Sequence, residues 1–339
     1  MTWGISMYAT ILMDVEDFID PDADDAAKAC ADILTEEGVQ ATMCIVGEKA
    51  RRLKSRGRFD VIESLLKHDI GFHTDYHSIH PTIAEFLQNK GWDDGVLEAL
   101  EQEAPGVRSI EEAFGVTPSC WGGPGNTWGP QICEAMKRLG VPAFVYGFTS
   151  VPEGEVHRFE GILAFPEGHY FSDSVFHLTP SVDRHLAKIV AGLEVERAGG
   201  QFWSQVFIGH PTRILHDSFW DSIFEHGANP IEEDRKPVER KNPVNLRVTL
   251  DNFRRIVRAI KAVPGIRLRT IREMNEMLSP VCSSPISLSE QEEVWPALEA
   301  KLQGMTDWPI LPKQFDVSSI CEVARGRLHR IERLELTSI

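Results

Sequence analysis

The chain has 339 residues, 42% hydrophobic and 25% charged, which excludes wholesale disorder and a fibrous architecture and allows one large α/β domain with an appendage. Thirty-five Lys and Arg against 51 Asp and Glu give a formal net charge of -16, which repels phosphate backbones and anionic lipid, so nucleic acid is not an expected partner. No segment sustains the roughly 18 apolar residues that a membrane span needs. The six cysteines form no CxxC pair or regular framework, and the opening residues have no basic region followed by a long apolar stretch; the expectation is reduced thiols and a cytoplasmic location.

The run Met7–Met13 (MYATILM) is apolar and β-prone and ends in acidic residues, as a buried strand does when it delivers side chains to a site at its C-terminal end. Asp24–Glu37 then reads as an amphipathic helix, Gly38–Val46 as a strand, Arg58–Lys67 as a helix and His68–His73 as a short strand. A helix is expected near Val96–Phe114, a turn-rich stretch at Pro118–Pro130, a helix at Gln131–Leu139 and a strand at Ala143–Tyr146. Gly161–Phe165 and Phe202–Ile208 follow as strands, and Asn252–Val263 with Ile266–Arg269 as a last helix and strand. Such β/α alternation points to a parallel sheet or barrel. The stretch at about 212–246 is rich in Pro, Asn, Trp and charge and is too long for an ordinary connection, so it reads as an insertion near the site, or a lid. Residues 281–339 read as a linker and two helices with charged faces, Glu290–Gln303 and Val317–Leu336; a homo-oligomer held by that extension is one expectation it leaves open.

Two clusters carry the chemistry. In DIGFHTDYHSIHPT, His73 and His77 stand four apart; if a helix starts at Thr74, both imidazoles leave one face and can hold one divalent cation. The alternative is a set of histidines in a polar loop. At the end of the first strand, Asp14, Glu16 and Asp17 crowd into DVED, and several carboxylates closing an apolar strand repel one another unless a cation or solvent offsets them. The competing reading is a helix-capping acidic turn, which needs only one such residue.

In this order the segments resemble the polysaccharide deacetylases, also called the NodB-homology or carbohydrate esterase family 4 group. ILMDVEDF is similar to the family's first motif, GVQATMCIVGEKA to the strand and turn after it, DIGFHTDYH to its His-Thr-x-x-His motif, VFIGHP to the late strand ending in a catalytic histidine, and RLRTIREMNEML to its last strand and helix. The resemblance spans residues 6–280 and implies a distorted (β/α) barrel with 281–339 as a C-terminal helical appendage. It further implies that Asp14 is the general base, that His73 and His77 are metal ligands with Glu16 or Asp17 as the third, and that His210 is the general acid. One divalent ion, zinc before other first-row metals, is the implied cofactor.

The sequence also departs from the family. SCWGGPGNTWG has Gly122 where the family carries an arginine, and its glycines and tryptophans suggest a remodelled cleft in which Trp121, Gly123, Pro124 and Asn126 contact substrate, with Trp128 a further candidate; a glycine-rich turn with buried tryptophans is the alternative. The family's fourth motif has no clear counterpart, Asp173 and Asp183 being candidates by acidity alone. The resemblance therefore implies a deacetylase acting on an N-acylated carbohydrate. Hydrolysis of a small amide or cyclic ureide at the same site, and a non-catalytic carbohydrate-binding relative, are the competing readings.

Overall fold

The computed structural model describes residues 7–124, 127–145, 155–166, 168–171, 176–198 and 203–336. Strand β1 (Met7–Val15) is buried along its whole length, which is why its sequence is a continuous apolar run without the alternation of a half-exposed strand. One edge pairs in parallel with β9 (Trp203–Gly209); the other is shared between β10 (Ile266–Leu268) at its start and β2 (Thr42–Ile45) at its end. From β2 the parallel order continues through β3 (Asp69–Phe72), β4 (Trp121–Gly122), β5 (Ala143–Val145) and β7 (Ile162–Phe165). On the far side β9 pairs in parallel with β8 (His169–Tyr170).

β7 and β8 lie at opposite ends of this parallel run, yet only residues 166–168 separate them in the chain. So short a link reaches roughly 3.5 Å per residue, so the sheet must curl round until its two ends nearly meet. The result is a distorted β/α barrel, the fold class the sequence implies. Helices pack on its outside. Ala27 and Leu34 from helix Asp22–Glu36, Ile110 from helix Trp92–Phe114, and Phe253, Ile256 and Ile260 from helix Pro243–Ala262 join one apolar cluster with Ile11, Met43 and Phe72 of the sheet.

The C-terminal extension departs from the expected helices. Helix Leu288–Gly304 is present, but the expected helix Val317–Leu336 stops at Gly326, and residues Ile331–Leu334 form strand β12. β12 pairs antiparallel with β6 (His157–Phe159) and with β11 (Ser283–Pro285), so the extension lengthens the main sheet. Buried Glu160 draws the region in through ion pairs with Arg327 and Arg330, long-range contacts that helical periodicity does not reveal. Trp295, Leu298 and Ile320 share the barrel's apolar cluster. The helix expected from Asn252 already begins at Pro243, with Asn242 Oδ1 accepting from the amides of Val244 and Asn245. No helix among the described residues is long and apolar enough to cross a membrane.

Candidate metal centre

Because β1, β3 and β9 run parallel, their C-terminal ends share one edge of the barrel, and the residues there converge: Asp14 on β1 with Glu16 just after it, His73 just after β3, and His210 just after β9. Glu16, His73 and His77 form a buried group whose potential ligand atoms all lie within 4.8 Å of one another. Glu16 Oε2 is 3.0 Å from His77 Nε2 and 3.7 Å from His73 Nε2.

The helix expected at Thr74 is absent. Thr74 (φ 63°) and His77 (φ 55°) both take left-handed backbone conformations, so a folded loop, not a helical face, brings the two imidazoles together. Such residues persist only where the surroundings over-determine them. Here Glu103 of helix Trp92–Phe114 accepts from Thr74 Oγ1 at 2.8 Å and from the Asp75 amide at 2.9 Å, while the amides of Gly47 and Glu48 donate to the carbonyls of Thr74 and Asp75.

Each imidazole is also oriented from behind. His73 Nδ1 lies 2.9 Å from the Gly122 carbonyl, which can only accept, so Nδ1 carries the proton and Nε2 presents its lone pair. Ser78 Oγ donates to Asp221 Oδ2 at 2.6 Å and lies 2.6 Å from His77 Nδ1, which fixes the same tautomer on His77. Histidine ligands to metals are held in this way. Glu16 Oε1 and Asp14 Oδ1 are buried without a hydrogen-bond partner, an arrangement a cation would satisfy. The donor set fits a divalent ion of the zinc type.

Asp17, the other proposed acidic ligand, is not brought to this group. Its Oδ1 accepts from the amides of Ile19 and Asp20, and its Oδ2 accepts from Thr212 Oγ1 at 3.1 Å, so it works as the turn-capping carboxylate at the helix entry. Asp14 lies between two imidazoles, with Oδ1 3.7 Å from His73 Nδ1 and Oδ2 3.6 Å from His210 Nε2. Burial raises the Asp14 carboxyl above its usual range, an effect His73 and His210 only partly offset. Burial acts the same way on Glu16, but there His77 and His73 prevail and hold the carboxyl well below its ordinary range. Burial lowers the pKa of His73, but Asp14 and Glu16 outweigh it and raise it overall. The attraction that holds these protons is the one a cation would take over.

Of the residues that SCWGGPGNTWG offers for substrate contact, the structure places the two tryptophans in the core, the alternative the sequence left open. Trp121 and Trp128 are fully buried in the apolar core, Pro124 is buried, and the Gly123 amide donates to the Val145 carbonyl at 3.2 Å, continuing the sheet. Asn126 and Asp173 lie outside the described residues. Asp183, on helix Thr179–Ala198, pairs with Arg255 of helix Pro243–Ala262. A Cβ on Gly122 would stand 3.0 Å from Cys44 Sγ and 3.3 Å from His73 Nδ1, so a side chain here would crowd both, and the Gly122 carbonyl lies beside His73. Sequence reasoning missed Ser78, Glu103 and Asp221, which orient the ligand loop. Only the placing of 212–246 near the site pointed toward Asp221.

No family model matches this sequence, nor does any curated protein sequence match it. Solved structures do match. One is a Pseudomonas aeruginosa PAO1 protein assigned as a polysaccharide deacetylase, at 11% identity and TM-score 0.52, with 80% of this chain and 91% of that one covered. Another is a Mycobacterium smegmatis protein with the same assignment, at 14% identity and TM-score 0.50, with 82% of this chain and 91% of that one covered. The chain has the polysaccharide-deacetylase, or NodB-homology, fold.

Proposed function

We propose that the protein is a metal-dependent hydrolase that removes an N-acyl group, acetyl in the simplest case, from a sugar or sugar-containing substrate. The observation that carries this reading is the buried Glu16, His73 and His77 group with Asp14 beside it and His210 beyond. A divalent ion held there, zinc or another first-row metal, would polarise the acyl carbonyl and acidify water.

The remaining steps belong to the chain's own residues. Asp14, beside the group and 3.7 Å from His73, takes the proton from the attacking water. His210, 3.6 Å across Asp14, delivers a proton to the departing nitrogen, which is a poor leaving group until protonated. The assignment of both fold neighbours as polysaccharide deacetylases supports a sugar amide as substrate.

The test is acetate release from N-acetylated oligosaccharides by zinc- or cobalt-loaded protein. Release that stops on chelation and in His73→Ala is the expected result. Ring opening of a cyclic ureide without acetate release from any sugar would overturn the substrate class, and turnover indifferent to chelation would overturn the mechanism.

A further inference from the structure

The segment after His210 grips the ligand loop at several points. Asp221 accepts from Ser78 at 2.6 Å, His80 Nε2 lies 3.0 Å from the Phe224 carbonyl, and Asn229 Nδ2 donates to the His80 carbonyl at 3.0 Å. Trp220 packs against His77 with ring centroids 5.4 Å apart. The segment is closed on itself by a bridge between His216 and Arg240 and by Arg235, which donates to the Pro230 carbonyl and lies over the Phe224 ring. Its Trp220–Gly227 stretch is a 3-10 helix interrupted at Glu225 and His226.

Further support comes from the C-terminal extension. The His226 amide donates to the Pro309 carbonyl at 2.7 Å and the Gly227 amide to the Ile310 carbonyl at 3.1 Å. Ile310 completes a buried cluster with Phe18, Val46, Trp220 and Phe224, and Trp308 packs against it. The cluster thus joins the acidic turn, the end of β2, the insertion and the extension.

We propose that Asp221 is a positioning residue for the metal ligand His77, acting through Ser78, and that residues Trp308–Leu311 of the C-terminal extension are the brace that delivers it. The inference rests on reading Glu16, His73 and His77 as metal ligands. A carboxylate at Asp221 commits the Ser78 hydroxyl to donating away from His77. Only the serine lone pairs then face Nδ1, so the imidazole proton stays on Nδ1 and the Nε2 lone pair points at the Glu16 side. Without Asp221 the hydroxyl can rotate and donate to Nδ1, which favours the tautomer with its proton on Nε2, a proton the metal must then displace.

The experiment is titration of the metal-free full chain with Co²⁺, followed by calorimetry and visible absorption, in wild type, Asp221→Asn, Ser78→Ala, the double variant and Ile310→Ala. Loss of an outer partner of a metal-bound histidine typically weakens binding about ten- to a hundredfold, and that is the change expected for Asp221→Asn, with metal-free thermal melting unchanged. The double variant should bind no more weakly than Ser78→Ala alone, because the two residues form one relay; a side chain that served packing only would give additive losses. Ile310→Ala should shift affinity in the same direction by a smaller factor. Wild-type affinity in Asp221→Asn, or additive losses, would overturn the relay, and unchanged affinity in Ile310→Ala would overturn the brace. Wild-type protein that binds no cobalt would sink the metal centre itself and the inference with it.

Discussion

On the ligand side of the centre, His73 and His77 each have Nδ1 within 2.9 Å of a protein oxygen and sit in a loop held by Glu103 and by the insertion. On the opposite side, His210 directly follows β9 with its side chain 13% exposed, packs against the edge of Phe219 at 5.1 Å, and stands 3.6 Å from Asp14. The contrast separates two tasks. Ligation needs lone pairs fixed in direction, whereas proton delivery needs a side chain that reaches substrate and solvent. Substitutions on the first side should therefore act through metal affinity, and those on the second through turnover with the metal retained.

The largest effect should come from His73→Ala. It removes one of the three grouped candidate ligands, and both zinc content, read by elemental analysis, and acetate release should be lost. Stoichiometric metal in that variant would erase the distinction between the two sides. Asp14→Asn should keep the metal yet lower kcat by about 10²–10⁴, the usual contribution of a positioned base. His210→Gln should fall at the lower end of that range, with metal content unchanged; metal loss there would place His210 among the ligands.

The smallest effect concerns the loop's support. Burial pushes Glu103 up to about 8, so between roughly pH 4.3, where the unfolded carboxyl ionises, and that value the folded chain holds a proton the unfolded chain releases. Stability from this group therefore falls as pH rises through the window and levels off above it. Glu103→Gln keeps an acceptor for the Asp75 amide and should flatten the decline. Urea unfolding of chelated protein at about pH 5.5 and 8.5 should show a difference between wild type and variant on the order of 3 kcal/mol. Parallel pH profiles would show that Glu103 is ionised throughout.

What the sequence made legible follows from how locally each feature is encoded. Asp14, Glu16, His73, His77 and His210 each end or closely follow a strand, and parallel strands bring their ends to one edge, so short motifs nominate them, with Glu16 and Asp17 left as alternatives. The Ser78–Asp221 contact spans 143 residues in sequence and joins two irregular segments, where no periodicity operates. Thr74 and His77 depart from the helix their spacing suggests because left-handed residues carry no signature in a Thr or a His. Trp121 lies in a two-residue strand, too short for alternation to reveal which face it takes, and it faces the core. β12 is hidden by a charged pattern that suits a helix face as well as a half-buried strand paired on both sides.

The central claim is that Glu16, His73 and His77 together hold one divalent ion. Anomalous X-ray scattering at the zinc edge from crystals of zinc-loaded protein tests it most directly. The expected result is a single strong peak at about 2.0–2.2 Å from Glu16 and from Nε2 of both histidines. A peak coordinated by Asp17 in place of Glu16, or no peak at this edge of the barrel, would contradict it.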